Sequence, residues 1–394
     1  MNLLQNRITP DNDPEAIYST NFRIKQYERI PDFLKLMVNY LSKLNKGYLQ
    51  FKHVHREEQI SYRGIYNSQV TKYDVYVNDT SDLSGKNEKI FLRILMPTLI
   101  HDNFFILNDN LYVPTMYITD LPIVIKNKSI MLSSTFNSVT LYMKDNIAIF
   151  TGVNIPLENF LQLFLMDDVE DIKLYGEFIA KHKLRHSTLT EQNILNYFKN
   201  KFNVKKDKNS VIDVLERTFL DEHAINLYKA SYGLEEVNLR NIIRNAITID
   251  INDESPNFID LSKKRLVFIE ILMRPLFERV AGMVKQVSAG FKVDEIRIDQ
   301  MVILKTFLTS KDLNKKRKGL CGNFLYNTAN LFSGVLQNKI SMVQPGVENA
   351  PQEVQGIHPS HFGKICPISV SSQSPGEVVS IIPGNRLNWY GMFI

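Results

Sequence analysis

The first 150 or so residues of the chain combine one strong helical segment with several short β-type segments. Ile30–Leu44 carries apolar residues at helical spacing and predicts an amphipathic helix. The segments after it are rich in β-branched and aromatic residues and are bounded by turn residues, which predicts strands. The predicted strands are Lys72–Val77, Lys89–Leu95, short runs within Asn103–Tyr117, Leu121–Ile125, Ser138–Met143 and Asn146–Thr151.

From about Pro156 the apolar positions recur with the period of an α-helix. This spacing predicts helices over Leu157–Leu165, Val169–Lys181, Thr190–Phe202, Val211–Phe219, Ala224–Tyr232 and Leu239–Ala246. After the polar break Asn252–Asn257 we predict two further helices, Val267–Val287 and Gln300–Leu308, with Pro275 as a kink or boundary in the first. The pattern predicts an α+β, multidomain fold of mixed sheets and helices.

Beyond the basic run Lys315–Lys318 the chain is rich in Gly, Pro, Ser, Asn and Gln and shows little periodicity. A disordered tail is one interpretation of this region. Apolar residues such as Phe324, Leu331 and Ile340 nevertheless remain frequent in it. A long irregular segment that stays apolar is more often a functional loop region packed into a larger structure, and we favour that interpretation.

Composition and charge exclude little. The 394 residues include 47 Lys and Arg and 42 Asp and Glu, a formal net charge of +5, which permits nucleic-acid binding without requiring it. Cys321 and Cys366 are the two cysteines, too few for a disulfide framework, so we expect a reducing compartment. Met1–Asp13 lacks the apolar core of a signal peptide, and no apolar run is long enough for a membrane span.

Several chemical signatures are absent from the sequence. There is no phosphate-binding Gly-rich loop, no nucleophile elbow and no Asp-x-Asp-x-Asp cluster for magnesium. The densest acidic group is Asp167, Asp168, Glu170 and Asp171, and its position at a helix start predicts capping and solvation.

Two other groups of side chains are candidates for binding. His358, His361 and Cys366 lack a fourth ligand and zinc-finger spacing, so we predict no metal there. The basic run Lys315–Lys318 either contacts phosphate or forms a solvated loop, and composition alone leaves both open.

Two stretches near the end of the chain carry a family resemblance. Residues 321–347 read CGNFLYNTANLFSGVLQNKISMVQPGV and resemble the block LSQFMDQxNPLSExTHKRRxSALGPGG of bacterial RNA polymerase β subunits, with Lys339 at an arginine position. The alignment needs no gap through Phe324, Leu331, Ser341, Pro345 and Gly346. Residues 358–368, HPSHFGKICPI, are similar to the family's HPTHYGRxCPI almost residue for residue.

Two weaker similarities lie upstream, in the family's order. Residues 99–113, LIHDNFFILNDNLYV, resemble LMTDNGTFIINGTERV, and residues 261–277, LSKKRLVFIEILMRPLF, resemble LGNRRIRSVGELLxxxF. Full β subunits are much longer, and this chain stops shortly after the family's fork region. The pattern resembles the split β subunits of large-genome bacteriophage RNA polymerases, which implies the N-terminal portion of such a subunit.

The resemblance implies a division into domains. Residues 1–150 would form a protrusion-like domain that is completed by return helices in 259–320. Residues 151–258 would form a reduced helical lobe, and residues 321–394 the fork and hybrid-facing region.

The resemblance also implies the chemistry, in which an RNA 3′-hydroxyl attacks a nucleotide α-phosphate between two metal ions. The Mg²⁺ ions would be bound by the largest subunit, so we expect no catalytic residue, metal or cofactor in this chain alone. The residues implied to face the RNA or the hybrid are Asn323, Lys339, Ser341 and Pro345. The active-centre motif contains His358, His361 and Lys364, either as nucleotide or RNA contacts or as a hydrogen-bonded structural loop. The possible phosphate contacts are Lys263, Lys264, Arg265, Lys315, Lys316 and Arg317.

The partners implied are the C-terminal half of the β-type subunit, β′-type chains, a promoter-specificity factor, DNA template, RNA and nucleoside triphosphates, without a membrane. We expect the cytoplasm of an infected bacterial host, or the virion, as the location. The alternative is a non-catalytic nucleic-acid-binding protein, or a virion structural protein, derived from a β subunit.

Overall fold

The computed structural model describes the chain in segments. They are residues 17–44, 49–63, 66–79, 88–100, 105–107, 109–114, 116–126, 128–185, 190–202, 207–252, 259–271, 273, 276–277, 321–323, 339–342, 354, 356–366, 378–382 and 384–394. Two compact units result, one of Met1–Thr119 with Phe258–Ile394 and one of Asp120–Asn257.

The described strands and helices follow in chain order, and they confirm the predicted α+β class. They are β1 Ile17–Tyr18, α1 Ser19–Glu28, α2 Ile30–Leu44, β2 Leu49–Arg63, β3 Tyr66–Asp79, β4 Glu88–Pro97, β5 Phe105–Leu107, β6 Asn110–Pro114, β7 Met116–Asp120, β8 Ile123–Lys126, β9 Ser129–Ser133, β10 Ser138–Tyr142, β11 Ile147–Phe150, β12 Val153–Pro156, α3 Leu157–Leu165, α4 Val169–His182, α5 Glu191–Phe202, α6 Lys208–Phe219, α7 Glu222–Tyr232, α8 Leu239–Asn252, β13 Lys264–Val267, β14 Cys321–Asn323, β15 Lys339–Ser341, β16 Val378–Ser380 and β17 Arg386–Leu387. None of the helices in these described ranges is long and apolar enough to cross a bilayer.

Helix α2 contributes a continuous apolar face to the core of the first unit. Its fully buried side chains recur three or four residues apart and are Ile30, Phe33, Leu34, Met37 and Val38. Burying one such side chain contributes roughly 1.5–3 kcal/mol. The helix spans the residues that the sequence pattern predicted, so this prediction is confirmed.

The first unit also contains a mixed sheet built from distant parts of the chain. Its strand order is β13-β7-β15-β16. Strand β15 runs parallel to β7 and antiparallel to β16. The sheet therefore holds the described segment 339–342 between a strand from the first third of the chain and one from its end. Two three-stranded sheets, β2-β3-β4 and β14-β6-β5, belong to the same unit.

The second unit consists of an antiparallel meander followed by helices. Strands β8 to β12 form a five-stranded sheet in sequential order. Helix α3 begins directly after β12, and every one of its residues except Glu158 is buried. The strands and helices share one apolar core, which includes Ile130, Phe150, Phe160 and Ile243.

The boundary of this unit differs from the domain boundary predicted after residue 150. Strand β11 ends at Phe150 and pairs with β12, so the predicted boundary cuts a sheet. The compact unit begins at Asp120 instead, because the meander buries its apolar face in the same core as the helices that follow it. The identity of these parts as protrusion, lobe and fork stays a prediction.

The acidic group at the start of α4 has a structural role. Asp168 is the N-cap residue, and its carboxylate accepts a hydrogen bond from the Glu170 backbone N–H at 3.4 Å, which confirms the predicted capping. Asp171 is buried and forms ion pairs with Arg240 at 2.6 Å and Arg244 at 3.2 Å. The expectation of solvation is wrong for Asp171, which ties α4 to α8.

The predicted helix Val267–Val287 does not begin where the pattern placed it. Strand β13 ends at Val267, and the first described helical residue after it is Ile269. The Leu266 backbone N–H donates to the Gly391 carbonyl at 2.8 Å, which ties this run to the end of the chain. Pro275, the part of this predicted helix after Phe277, and the predicted helix Gln300–Leu308 lie outside the described residues.

Candidate functional site

The segment HPSHFGK folds into a short capped turn. Pro359–His361 is a 3-10 helix, and His358 is its N-cap. The His358 Nδ1 accepts a hydrogen bond from the Ser360 backbone N–H at 3.2 Å. Proline at the first helical position suits this geometry, because its missing N–H would have no partner there. Gly363 follows with a φ of +72°, a left-handed conformation that glycine adopts without strain.

The turn is anchored to residues 259–261 of the same unit. The His361 Nε2 lies 2.7 Å from the Ile259 carbonyl oxygen, and because a carbonyl only accepts, this nitrogen carries the proton. The Leu261 backbone N–H donates to the Ser360 Oγ at 2.8 Å. These two bonds fix a loop to a segment almost one hundred residues earlier.

The acidic residue at this junction is Asp260. Its Oδ1 lies 3.7 Å from the His358 Nδ1 and accepts from the Ser262 backbone N–H at 2.9 Å. Burial alone would raise the pKa of Asp260, but the hydrogen bonds from Ser262 and the nearby His358 hold that pKa below its usual range. The junction is therefore polar and includes a carboxylate that stays ionised at neutral pH.

The two histidines have different remaining capacity for binding. Nε2 of His361 is already bonded to a carbonyl, whereas Nδ1 of His358 is the atom that faces Ser360 and Asp260. Within the described residues, the His358 Nε2 has no hydrogen-bond partner, and this side chain is 24% exposed. Both histidines thus have structural bonds, and His358 retains a ring nitrogen that could meet an RNA phosphate or a nucleotide.

Lys364 lies at the far end of the turn. Its Nζ is 5.2 Å from the centre of the Phe393 ring, within the range of a cation–π contact. Its carbonyl oxygen accepts from the Ile382 backbone N–H and from the Asn385 side chain, each at 2.9 Å. The Cys366 backbone N–H donates to Ser380 at 2.8 Å. The end of the chain thus holds the motif in place.

The residues predicted to face RNA are only partly described. Lys339 and Ser341 lie on β15, and Asn323 lies on β14, where it pairs with Tyr112. Ser341 is only 3% exposed, and this burial argues against a direct RNA contact from its hydroxyl. The side chains of Asn323 and Lys339, and all of Pro345, lie outside the described part of the chain.

The predicted phosphate contacts near residue 264 also divide. Lys263 is exposed at the end of a 3-10 helix, and Lys264 is half-buried at the start of β13. Arg265 is 8% exposed and binds Glu270 with both terminal nitrogens, at 2.7 and 2.5 Å. This pairing favours a structural role for Arg265 over the predicted phosphate contact. The remaining predicted contacts, Lys315, Lys316 and Arg317, lie outside the described residues.

The structure adds residues that the sequence reasoning missed. Asp260 could have been found, since an Asp followed two residues later by a serine is a local capping pattern. Asn385 and Phe393 carry no motif, and only folding brings them to Lys364. In the described segments, no three His, Cys, Asp or Glu side chains cluster as metal ligands.

Comparison with known proteins shows a partial similarity. No family model matches the chain. The chain is 33% identical over 92 residues to the DNA-directed RNA polymerase subunit beta of Aquifex aeolicus strain VF5. The match spans 22% of this chain and 6% of the bacterial subunit. The chain is thus similar, over part of its length, to an RNA polymerase β subunit, and the matched part is a small fraction of that protein.

Proposed function

We propose that this chain is the N-terminal portion of the β-type subunit of a multisubunit DNA-directed RNA polymerase, active only when assembled. The observation that carries the proposal is the 92-residue similarity to a bacterial β subunit. The folded HPSHFGK turn supports it, because the hydrogen bonds of His358 and His361 fix this motif rigidly to its own unit. Rigid placement is what a surface beside a reacting phosphate requires.

The chain would contribute positioning and charge rather than metal binding. The exposed Nε2 of His358 would donate a hydrogen bond to a phosphate oxygen or a nucleotide. Lys339 would approach the RNA backbone as a point charge. In the assembled enzyme Mg²⁺ would polarise the reacting phosphate, held by carboxylates of the largest subunit.

A finer proposal concerns the source of the enzyme. The middle region 151–258 is short compared with bacterial lobes, which favours a polymerase of a large-genome bacteriophage. Its partners would then be the other β-type chain, the β′-type chains and a promoter-specificity factor, in the cytoplasm of the infected host or in the virion. DNA, RNA and nucleoside triphosphates would be the ligands of the complex.

Purification of the tagged chain from the cells that produce it tests the proposal. We expect it to co-elute with chains that contain Asp-x-Asp-x-Asp and with Mg²⁺-dependent, DNA-templated RNA synthesis. A chain that elutes without nucleotide incorporation, alone or with capsid proteins, would instead support a non-catalytic nucleic-acid-binding or virion structural role.

A further inference from the structure

The second unit contains an open basic cavity that none of the residues discussed above belongs to. Its volume is about 740 Å³. It lies between two turns of the meander and the C-terminal end of α4. The cavity is lined by Lys128, Met143, Lys144, Asp145, Asn146, Lys181, His182, Lys183, Leu184 and Arg185. We call it the basic cavity.

Positive charge in the basic cavity is largely uncompensated. Lys128, Lys144, Lys183 and Arg185 are exposed, and among the described residues none of these four forms an ion pair. The fifth lysine, Lys181, is neutralised, because its Nζ lies 3.3 Å from the Asp250 Oδ2. His182 contacts the same carboxylate at 2.7 Å. Asp145 is the only acidic residue in the lining, so the net formal charge is strongly positive.

Asp250 holds the floor of this cavity rather than competing for a ligand. It is buried and bonded to both Lys181 and His182. Burial alone would raise the pKa of Asp250, but the bonds to His182 and Lys181 lower it below its usual range. Its charge is therefore already spent on these two side chains at neutral pH, and the four other cations remain available for an anion.

The residue that ends α4 points to the same use. Lys183 is the C-cap and has a φ of +51°, the left-handed region where glycine is the preferred residue. The chain reverses at this residue, which sets Lys183 and Arg185 at the rim of the cavity. A lysine at this position sacrifices backbone preference and adds a charge to the rim, which is the opposite of what stability alone would favour.

We propose that the basic cavity binds phosphate groups of a nucleic-acid backbone without reading its sequence. Lysine side chains suit phosphate as point charges. The lining has no aromatic ring on which a base could stack, so the contact would be to the backbone. The choice of nucleic acid over another polyanion rests on the proposed function, whereas the anion site itself rests on the cavity.

The test is binding of a fluorescent single-stranded oligonucleotide of mixed sequence to the purified full chain over a range of salt concentrations. For Lys144→Ala/Lys183→Ala we expect affinity to fall on the order of tenfold and the salt slope to fall by about 2, one per lost phosphate contact. The matched control is Lys199→Ala/Lys201→Ala, two exposed lysines at the end of α5 in the same unit, which should bind like the parent. Equal binding by the cavity variant and the control variant would overturn the proposal.

A second variant separates binding from folding. Lys183→Gly places the preferred residue at the left-handed C-cap, so its melting temperature should equal or exceed that of the parent while oligonucleotide binding weakens. Parental affinity in this variant would contradict the proposal.

Two competitors identify the source of the charge. Inorganic tripolyphosphate or polyglutamate that displaces the oligonucleotide at lower charge concentration than unlabelled oligonucleotide would overturn the nucleic-acid assignment. Because this assay needs no other polymerase chain, its failure leaves the co-elution test of the proposed function unaffected.

Discussion

The two histidines of the HPSHFGK turn differ in which ring nitrogen remains available. The Nε2 of His361 donates to a carbonyl, whereas the Nδ1 of His358 accepts from a backbone N–H. The sequence left a structural loop and a direct RNA contact equally open for both residues. The geometry makes both residues structural and leaves a contact possible from the His358 Nε2.

A test of how the end of the chain holds this turn is provided by Gly391. Its φ is +84°, and an added Cβ would lie 2.0 Å from the Leu266 carbonyl oxygen. Gly384 has a similar φ of +94° but nothing within 4 Å of such a Cβ. We expect Gly384→Ala to cost about 1–2 kcal/mol of unfolding free energy from backbone strain. Gly391→Ala should cost about 1–3 kcal/mol more, because backbone atoms must move apart. Equal losses in denaturant unfolding would contradict this packing.

Lys339 provides the residue-scale prediction for activity. If it approaches the nascent RNA, Lys339→Ala should remove a charge-assisted contact that contributes roughly 1.5–3 kcal/mol, or about a tenfold to hundredfold effect. Lys339→Arg keeps the charge and is the matched control, with elongation close to that of the parent. Elongation rates of the assembled enzyme measure both variants. An alanine variant that elongates like the parent on short and long hybrids would show that Lys339 does not contact RNA.

At the scale of elements, the sequence predicted those with a strong apolar period. Helices α2 and α3 have the predicted bounds, whereas α8 extends from Leu239 to Asn252, six residues past its predicted end. Strand β2, Leu49–Arg63, was missed because most of its described side chains are exposed and its sequence is highly charged. Strand β13 was assigned to a helix because a short apolar run fits either structure, and only its sheet partners decide.

The candidate site was predictable as a motif but not as a geometry. HPSHFGK stood out because of its composition, yet nothing local indicates that His361 bonds to Ile259 or that Lys364 meets Phe393. The basic cavity was missed for the same reason, since its lysines are spread over two turns and a helix end. Sequence patterns report local periodicity, whereas such sites depend on contacts between distant segments.

Helices α4 and α8 give an element-scale prediction through neighbouring acids that share one partner. Asp171 is buried and pairs with Arg240 and Arg244, whereas Glu170 is 76% exposed and pairs with Arg244 at 2.5 Å. Asp171→Ala should cost about 3 kcal/mol, because two arginines lose a buried partner. Glu170→Ala should cost less than about 1 kcal/mol, as exposed pairs do. Urea unfolding measures both, and a larger loss in the Glu170 variant would contradict the assigned burial.

At the scale of the whole molecule, two compact units with separate roles are consistent with a subunit that works by positioning. The first contains the HPSHFGK turn and the mixed sheet, and the second contains the basic cavity. We predict that the purified chain alone makes no RNA, because the Mg²⁺ ligands would come from the largest subunit. Incorporation of labelled nucleotide with template and Mg²⁺, in a preparation free of other polymerase chains by mass spectrometry, would contradict this division of labour.

The most direct test places a photoreactive nucleotide at the 3′ end of nascent RNA in a stalled elongation complex that contains this chain. On irradiation, we predict a covalent adduct on this chain, within residues 339–364 and with His358 as a principal site. Adducts confined to other chains, or on this chain only within residues 120–257, would contradict the placement of the HPSHFGK turn beside the active centre.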